Sequence, residues 1–219
     1  MSPSFAPIEE AALQRHGAAA VAARLATPRA ADEVAALPDS FFLDRMALRT
    51  FRAGLRHEMV DRKWPVFQEV FHQFDPPSCA RLSDEAIEAL LEDRRLIRNL
   101  PKLRAVRANA AAILELGGMG RWLAAWPPTD LVGLWAELAR RFQQLGGASA
   151  PAFLRMVGKD SFLLTDAVVR GLNAWGAFAG TPRTRSDLAE VQRVFDRWVA
   201  ETGRPYCQVS QILALSRDS

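Results

Sequence analysis

The chain has 219 residues, 49% hydrophobic and 24% charged, which suffices to bury a sizeable core as one domain or as two closely packed lobes. Lys and Arg number 28 against 25 Asp and Glu, and the formal charge of +3 is a slight lean toward polyanions that many cytosolic enzymes share. No stretch approaches the roughly 18 apolar residues of a membrane span, and Met1-Ser2-Pro3-Ser4 opens no basic-then-apolar leader, so a soluble cytoplasmic protein is expected.

In chain order, Ala18 to Ala23 reads as an Ala-rich helix, and Thr27-Pro28 opens a short one. Ser83, with Asp84 and Glu85 behind it, has the form of an N-cap whose first-turn carboxylates oppose the positive helix end. Pro101 stands at a helix start, and Leu103, Val106, Ala110, Ile113 and Leu114 then fall on one face. Pro128-Thr129-Asp130 opens a helix from Leu131 to Leu145 that Gly146-Gly147 closes. Thr165, Thr184 and Pro205 begin the last three helices. No run alternates over a strand's length, so the fold class is all-α. The tryptophans Trp64, Trp122, Trp126, Trp135, Trp175 and Trp198 lie mostly at amphipathic spacing and are expected as core or lobe-interface anchors.

Three groupings stand out: Phe51-Arg52-Ala53-Gly54-Leu55, then Phe71-His72-Gln73-Phe74-Asp75-Pro76, then Ile97-Arg98-Asn99 with Lys102 and Asn109-Ala110. In order and spacing they resemble the core of the 3-methyladenine DNA glycosylase I family, a helix-hairpin-helix group that removes alkylated adenine from DNA. The resemblance implies a helix-hairpin-helix glycosylase fold with a helical lobe over about 38–130. A second lobe would combine 1–37 with 131–219, and a DNA-facing cleft would lie between the two. It also implies double-stranded DNA with a damaged base as the partner; a monomer, nucleoid association and no cofactor are expected with it.

Within this frame Gln144-Leu145-Gly146-Gly147-Ala148-Ser149-Ala150 is the candidate hairpin. A tight glycine turn lets backbone N–H groups approach a phosphate that a Cβ would obstruct. A helix C-cap followed by a new helix explains the same glycines. Ser149 would add a hydroxyl contact or cap the second helix, and Lys159 would reach a neighbouring phosphate. Arg98, Lys102, Arg104 and Arg107 form a basic stretch that either meets the DNA backbone or is a solvated helix face. In the wider superfamily a catalytic Asp follows the hairpin at the start of the next helix, and Asp166 occupies such a place. Its carboxylate would stabilise an oxocarbenium-like sugar or orient water; alternatively it only complements the helix dipole beside Thr165. The segment from Ala150 to Val157 contains no lysine for a Schiff base, so a monofunctional mechanism is implied.

The base pocket departs from the family pattern. Arg49 stands where the family carries a glutamate that bonds the flipped base, Phe51 and Arg52 where it carries glutamines, and Arg56-His57 where it carries Ser-Trp. A guanidinium in the pocket would repel a cationic base by about 1 to 4 kcal/mol in a partly screened site. Three outcomes follow: a neutral or differently modified base, Arg49 turned aside to Asp44 or Glu58, or DNA binding without excision. His57 either stacks on the base or is structural. His16 has no cysteine before it, and Ala167 and Gly171 fall where the second pair of zinc ligands would lie. Cys79 and Cys207 have no metal-ligand spacing. No metal is therefore expected, and Ile212, Leu213 and Leu215 are expected to pack on the Ala-rich first helix instead. A non-catalytic damaged-DNA-binding protein is the alternative to a glycosylase, and a helical interaction scaffold is a third.

Overall fold

The structure is a computed structural model that describes residues 3–217, and every described regular element is helical. In chain order these are α1 (Ala6–His16), α2 (Ala18–Arg24), α3 (Ala31–Ala35), α4 (Asp39–Arg52), α5 (His57–Val70), α6 (Pro76–Ala80) and α7 (Asp84–Ala89). There follow α8 (Leu100–Leu116), α9 (Met119–Ala125), α10 (Leu131–Arg141), α11 (Ser149–Val157), α12 (Asp166–Ala174), α13 (Arg185–Thr202) and α14 (Tyr206–Leu215). Among the described residues no helix is long and apolar enough to cross a membrane.

Many expected starts match the caps. Ser83 accepts the Ala86 amide at 3.1 Å, Thr165 the Val168 amide at 3.3 Å and Thr184 the Asp187 amide at 3.1 Å. Two expectations shift. Thr27-Pro28 precedes the helix instead of opening it: α3 begins at Ala31, where Glu33 reaches back to the Ala30 amide at 2.7 Å. The helix expected to run to Leu145 ends at Arg141, because Gln144 adopts a left-handed conformation with φ of 66°.

Two compact units emerge: Met1–Arg29 with Pro127–Gly133 and Asp160–Ser219, and Ala30–Trp126 with Leu134–Lys159. The expected lobe boundaries differ from this division, because 134–159 belongs with the middle of the chain. The reason is local: α11 packs on α4, and the segment after α10 is hydrogen-bonded to α8.

In the unit built from the termini, α14 packs on α1, α12 and α13. A Cβ at Gly171 of α12 would lie 2.9 Å from the Leu213 side chain, so this close approach requires the glycine. Asp160 accepts the amides of Tyr206 and Cys207, both at 2.9 Å, and so caps α14, whose own N-cap, Pro205, offers no side-chain acceptor. Trp198, with no exposed surface, is flanked by Phe5 and Phe195 at 5.3 and 5.6 Å.

In the other unit α4 is the central helix, buried on most sides through Phe42, Leu43, Met46, Ala47, Leu48, Thr50 and Phe51. Phe51, Trp64, Phe67, Phe71 and Phe74 form a continuous aromatic cluster with neighbouring rings 4.5 to 6.3 Å apart. His72, Gln73 and Phe74 all have positive φ, 51° to 55°. A left-handed residue other than glycine costs about 1 kcal/mol, and the buried rings of Phe71 and Phe74 on either side hold this turn. Asp75 then caps α6 by accepting the Ser78 amide at 3.0 Å. The motif from Phe71 to Pro76 is thus structural in origin.

Candidate nucleic-acid interface and base site

The bend between α10 and α11 is exposed from Gly146 to Ala148, and a Cβ at either glycine would meet nothing within 4 Å. Gly147 has φ of 56°, which favours glycine. Beneath the bend Leu145 is fully buried, and Ser149 is buried at the first turn of α11 with its amide bonded to the Gly146 carbonyl at 3.1 Å. The Gly147 and Ala148 amides donate to no acceptor among the described residues. Ala148, not Ser149, is the N-cap.

Asn109 of α8 fixes this bend. Its Oδ1 accepts the Gln143 amide at 2.7 Å, and its Nδ2 donates to the Gln143 carbonyl at 3.1 Å. Both backbone groups of the residue before the left-handed Gln144 are held by one buried side chain. That places an open bend on a rigid base, the arrangement that an anion-binding turn needs.

Two cations expected at DNA are engaged with the protein. Lys159 donates to the Trp126 carbonyl at 3.1 Å, and Lys102 to the Ala53 carbonyl at 2.8 Å. Burial and the nearby Arg49 guanidinium hold the Lys102 ammonium below the usual lysine range. Arg104 and Arg107 bond to Glu88 and Asp84. Arg98 is exposed and meets no protein acceptor among the described residues, while Asn99 caps α8 by accepting the Lys102 amide at 3.1 Å.

The three residues expected in the base pocket separate by environment. Phe51 has no exposed surface; its ring sits 4.5 Å from Phe67 within the aromatic cluster, so it is a core residue. His57 is exposed as the first residue of α5. Arg49, in the last turn of α4, is partly buried, and neither Asp44 nor Glu58 pairs with it. Asp44 is already engaged elsewhere: its Oδ1 accepts from Trp64 Nε1 at 3.0 Å and Gln68 Nε2 at 3.2 Å, and its Oδ2 pairs with Arg45 at 3.2 Å. Arg52 is a bidentate partner of Asp61. Burial first, and the Arg52 charge second, lower the Arg49 pKa from its ordinary value.

Asp166 opens α12, exposed and without a hydrogen-bond or ion-pair partner among the described residues. It borders a cavity of about 290 Å³ with Leu164, Val169, Arg170, Thr181 and Pro182.

Zinc fails a direct test of fit. His16 Nε2 donates to the Leu215 carbonyl at 3.1 Å, Gly171 is pressed against Leu213, and both cysteines are buried. Burial pushes the Cys79 thiol up to about 12, far from the thiolate that a metal requires. No group of three or more potential ligands occurs among the described residues. Ile212 and Leu213 are fully buried and Leu215 nearly so, and α14 packs on both α1 and the Ala-rich α2.

Residues 35–127 match the profile of the methyladenine glycosylase family. Over that stretch the chain is similar to that family. It is 34% identical over 73 residues to DNA-3-methyladenine glycosylase 1 of Escherichia coli K12, a stretch covering 33% of this chain and 39% of that protein. It is 35% identical over 77 residues to DNA-3-methyladenine glycosylase of Haemophilus influenzae, covering 35% and 42%. The chain thus spans about two fifths of the length of these curated relatives. Among solved structures, a variant of 3-methyladenine DNA glycosylase I in complex with 3-methyladenine superposes with a TM-score of 0.51 at 20% identity. That likeness covers 59% of this chain and 82% of the other. Another crystal structure of 3-methyladenine DNA glycosylase I gives 0.50 at 23%, covering 62% and 83%. These two likenesses establish the fold. The family match includes Arg49, His57 and Asn109 but stops before the glycine bend and Asp166. The Asn109 clamp and the Asp160 cap escaped sequence reading because their partners are backbone groups distant in sequence; only the Asn-Ala grouping marked the first.

Proposed function

We propose that the chain is a DNA N-glycosylase that hydrolyses the bond between a damaged base and deoxyribose in duplex DNA. The observation that carries this reading is the bend at Gly146 and Gly147, open to a phosphate, with unengaged amides and a base fixed by Asn109. Backbone amides there hold one phosphate of the target strand and set its register without reading sequence. Arg49 and His57 border the site of the extruded base. Asp166, exposed and unpaired at the start of α12, stabilises positive charge on the sugar as the glycosidic bond breaks and orients the attacking water. α11, Ser149-Ala150-Pro151-Ala152-Phe153-Leu154-Arg155-Met156-Val157, has no amine for a Schiff base, so water is the nucleophile.

The test is release of free base, with alkali-labile sites left behind, from duplexes carrying alkylated, deaminated or oxidised bases. Asp166→Asn is expected to lower turnover at least about hundredfold with DNA affinity unchanged. Undiminished turnover in that variant would remove Asp166 from the chemistry. The missing carboxylate partner at Arg49 favours a second reading, a damaged-DNA-binding protein without excision. That protein would show salt-dependent binding and no free base from any duplex.

A further inference from the structure

Four buried side-chain polar atoms lack a hydrogen bond among the described residues: Asp44 Oδ2, Arg45 Nε, Arg49 Nε and Thr50 Oγ1. The first two face each other as an ion pair at 3.2 Å. Arg49 is therefore the one charged group of the four that the protein leaves unanswered. Its Nε has lost water without gaining an acceptor, while its two terminal nitrogens remain accessible and meet no protein oxygen. The surroundings are positive: Arg52 is close enough to depress its pKa, and Lys102, held 2.8 Å from the Ala53 carbonyl at the end of the same helix, is itself depressed by Arg49. The single carboxylate bonded in this group, Asp61, is taken by Arg52.

Such a site disfavours a cation and demands acceptors, and the two accessible guanidinium nitrogens form a fork. A fork of this kind matches a pair of acceptors side by side on a purine edge, O6 and N7. We infer that Arg49 selects a neutral 6-oxopurine, the deaminated class that includes hypoxanthine, and rejects N-alkylated cationic purines. The inference rests on the reading that places an extruded base beside Arg49 and His57. Hypoxanthine keeps both acceptors; a purine methylated at N7 loses one and carries a positive charge against Arg49 and Lys102. Normal guanine has the same edge but is held in a full pair and stack, so the cost of extrusion discriminates against it.

The experiment compares duplexes containing hypoxanthine opposite thymine with duplexes containing N7-methylguanine, read as free base over time. Free hypoxanthine and free 3-methyladenine are also titrated against tryptophan fluorescence. Release of hypoxanthine at least about tenfold faster than the methylated base, with the order inverted by Arg49→Glu, supports the inference. Faster release of the methylated base overturns it and leaves the glycosylase reading intact. If no duplex releases base but free hypoxanthine binds at least about tenfold tighter than 3-methyladenine, which as a free base is uncharged and differs at the six position, and Arg49→Met abolishes that preference, excision falls and the preference for a 6-oxo edge stands. No release together with no binding preference overturns both. Should the Arg49 variants unfold, the two comparisons on the unaltered protein decide alone.

Discussion

α4 carries two charged side chains little more than a turn apart, and the fold treats them in opposite ways. Asp44 is buried and engaged by the protein itself: Trp64 and Gln68 donate to Oδ1, and Arg45 faces Oδ2 as an ion pair. Arg49 is partly buried, has no carboxylate and lies beside two other cations. A structural charge is one whose desolvation is offset by bonds the protein itself supplies, whereas a charge left short of bonds carries a desolvation cost that nothing in the chain offsets. The α10–α11 bend shows the same division between residues: Asn109 answers Gln143 completely, and the next exposed amides are left open.

Substitutions can break this contrast. The largest effect is expected from Asp44→Ala, which strands Trp64 Nε1, the Gln68 amide and the Arg45 guanidinium; urea unfolding should show a loss of about 3 kcal/mol. A loss below about 1 kcal/mol would mean that Asp44 is not the anchor of α4. Asn109→Ala should cost about 2 kcal/mol, because both backbone groups of Gln143 lose their partner. It should also weaken duplex binding in fluorescence anisotropy, and unchanged affinity at reduced stability would separate the clamp from DNA. Gly147→Ala should cost about 1 kcal/mol for its positive φ. No neighbour obstructs the new methyl group, so any further loss of DNA affinity reports on a phosphate brought close to the bend.

Arg49→Met sharpens the comparison from the other side. With no bond to lose and a desolvated charge removed, stability is expected to stay level or rise by up to about 1 kcal/mol, the sign opposite to Asp44→Ala. Glu137 gives the smallest effect, because its partners Arg140 and Arg141 are exposed to solvent. Its carboxyl is held down to about 2, below the ordinary 4.5, first by the Arg140 hydrogen bond. The folded pKa lies below the unfolded one, so this contribution is complete above about pH 4.5 and fades as the pH falls toward 2. Glu137→Gln should remove less than about 1 kcal/mol at neutral pH and flatten that acid limb in thermal unfolding scans.

The helical class and many helix starts were legible in the residues, because N-caps and apolar periodicity act over a few positions. Ser83, Thr165 and Thr184 needed no tertiary information to be read as caps. The end of α10 was misplaced because a left-handed Gln144 leaves no local signature as clear as a glycine. Of the candidate site, the glycine bend and the reversal of charge at Arg49 were visible in sequence. That the Phe51 ring is sealed in an aromatic cluster and that Lys102 donates to the Ala53 carbonyl was not legible, since both depend on what arrives from elsewhere in the chain.

By itself the sequence determined the local conformations and the inventory of charges, because these follow from backbone sterics and side-chain chemistry within a turn or two. Only the tertiary structure decided which charges are answered and which stay open. Desolvation and hydrogen-bond pairing are set by neighbours remote in sequence, as Asn109 with Gln143 and Asp160 with Tyr206 demonstrate.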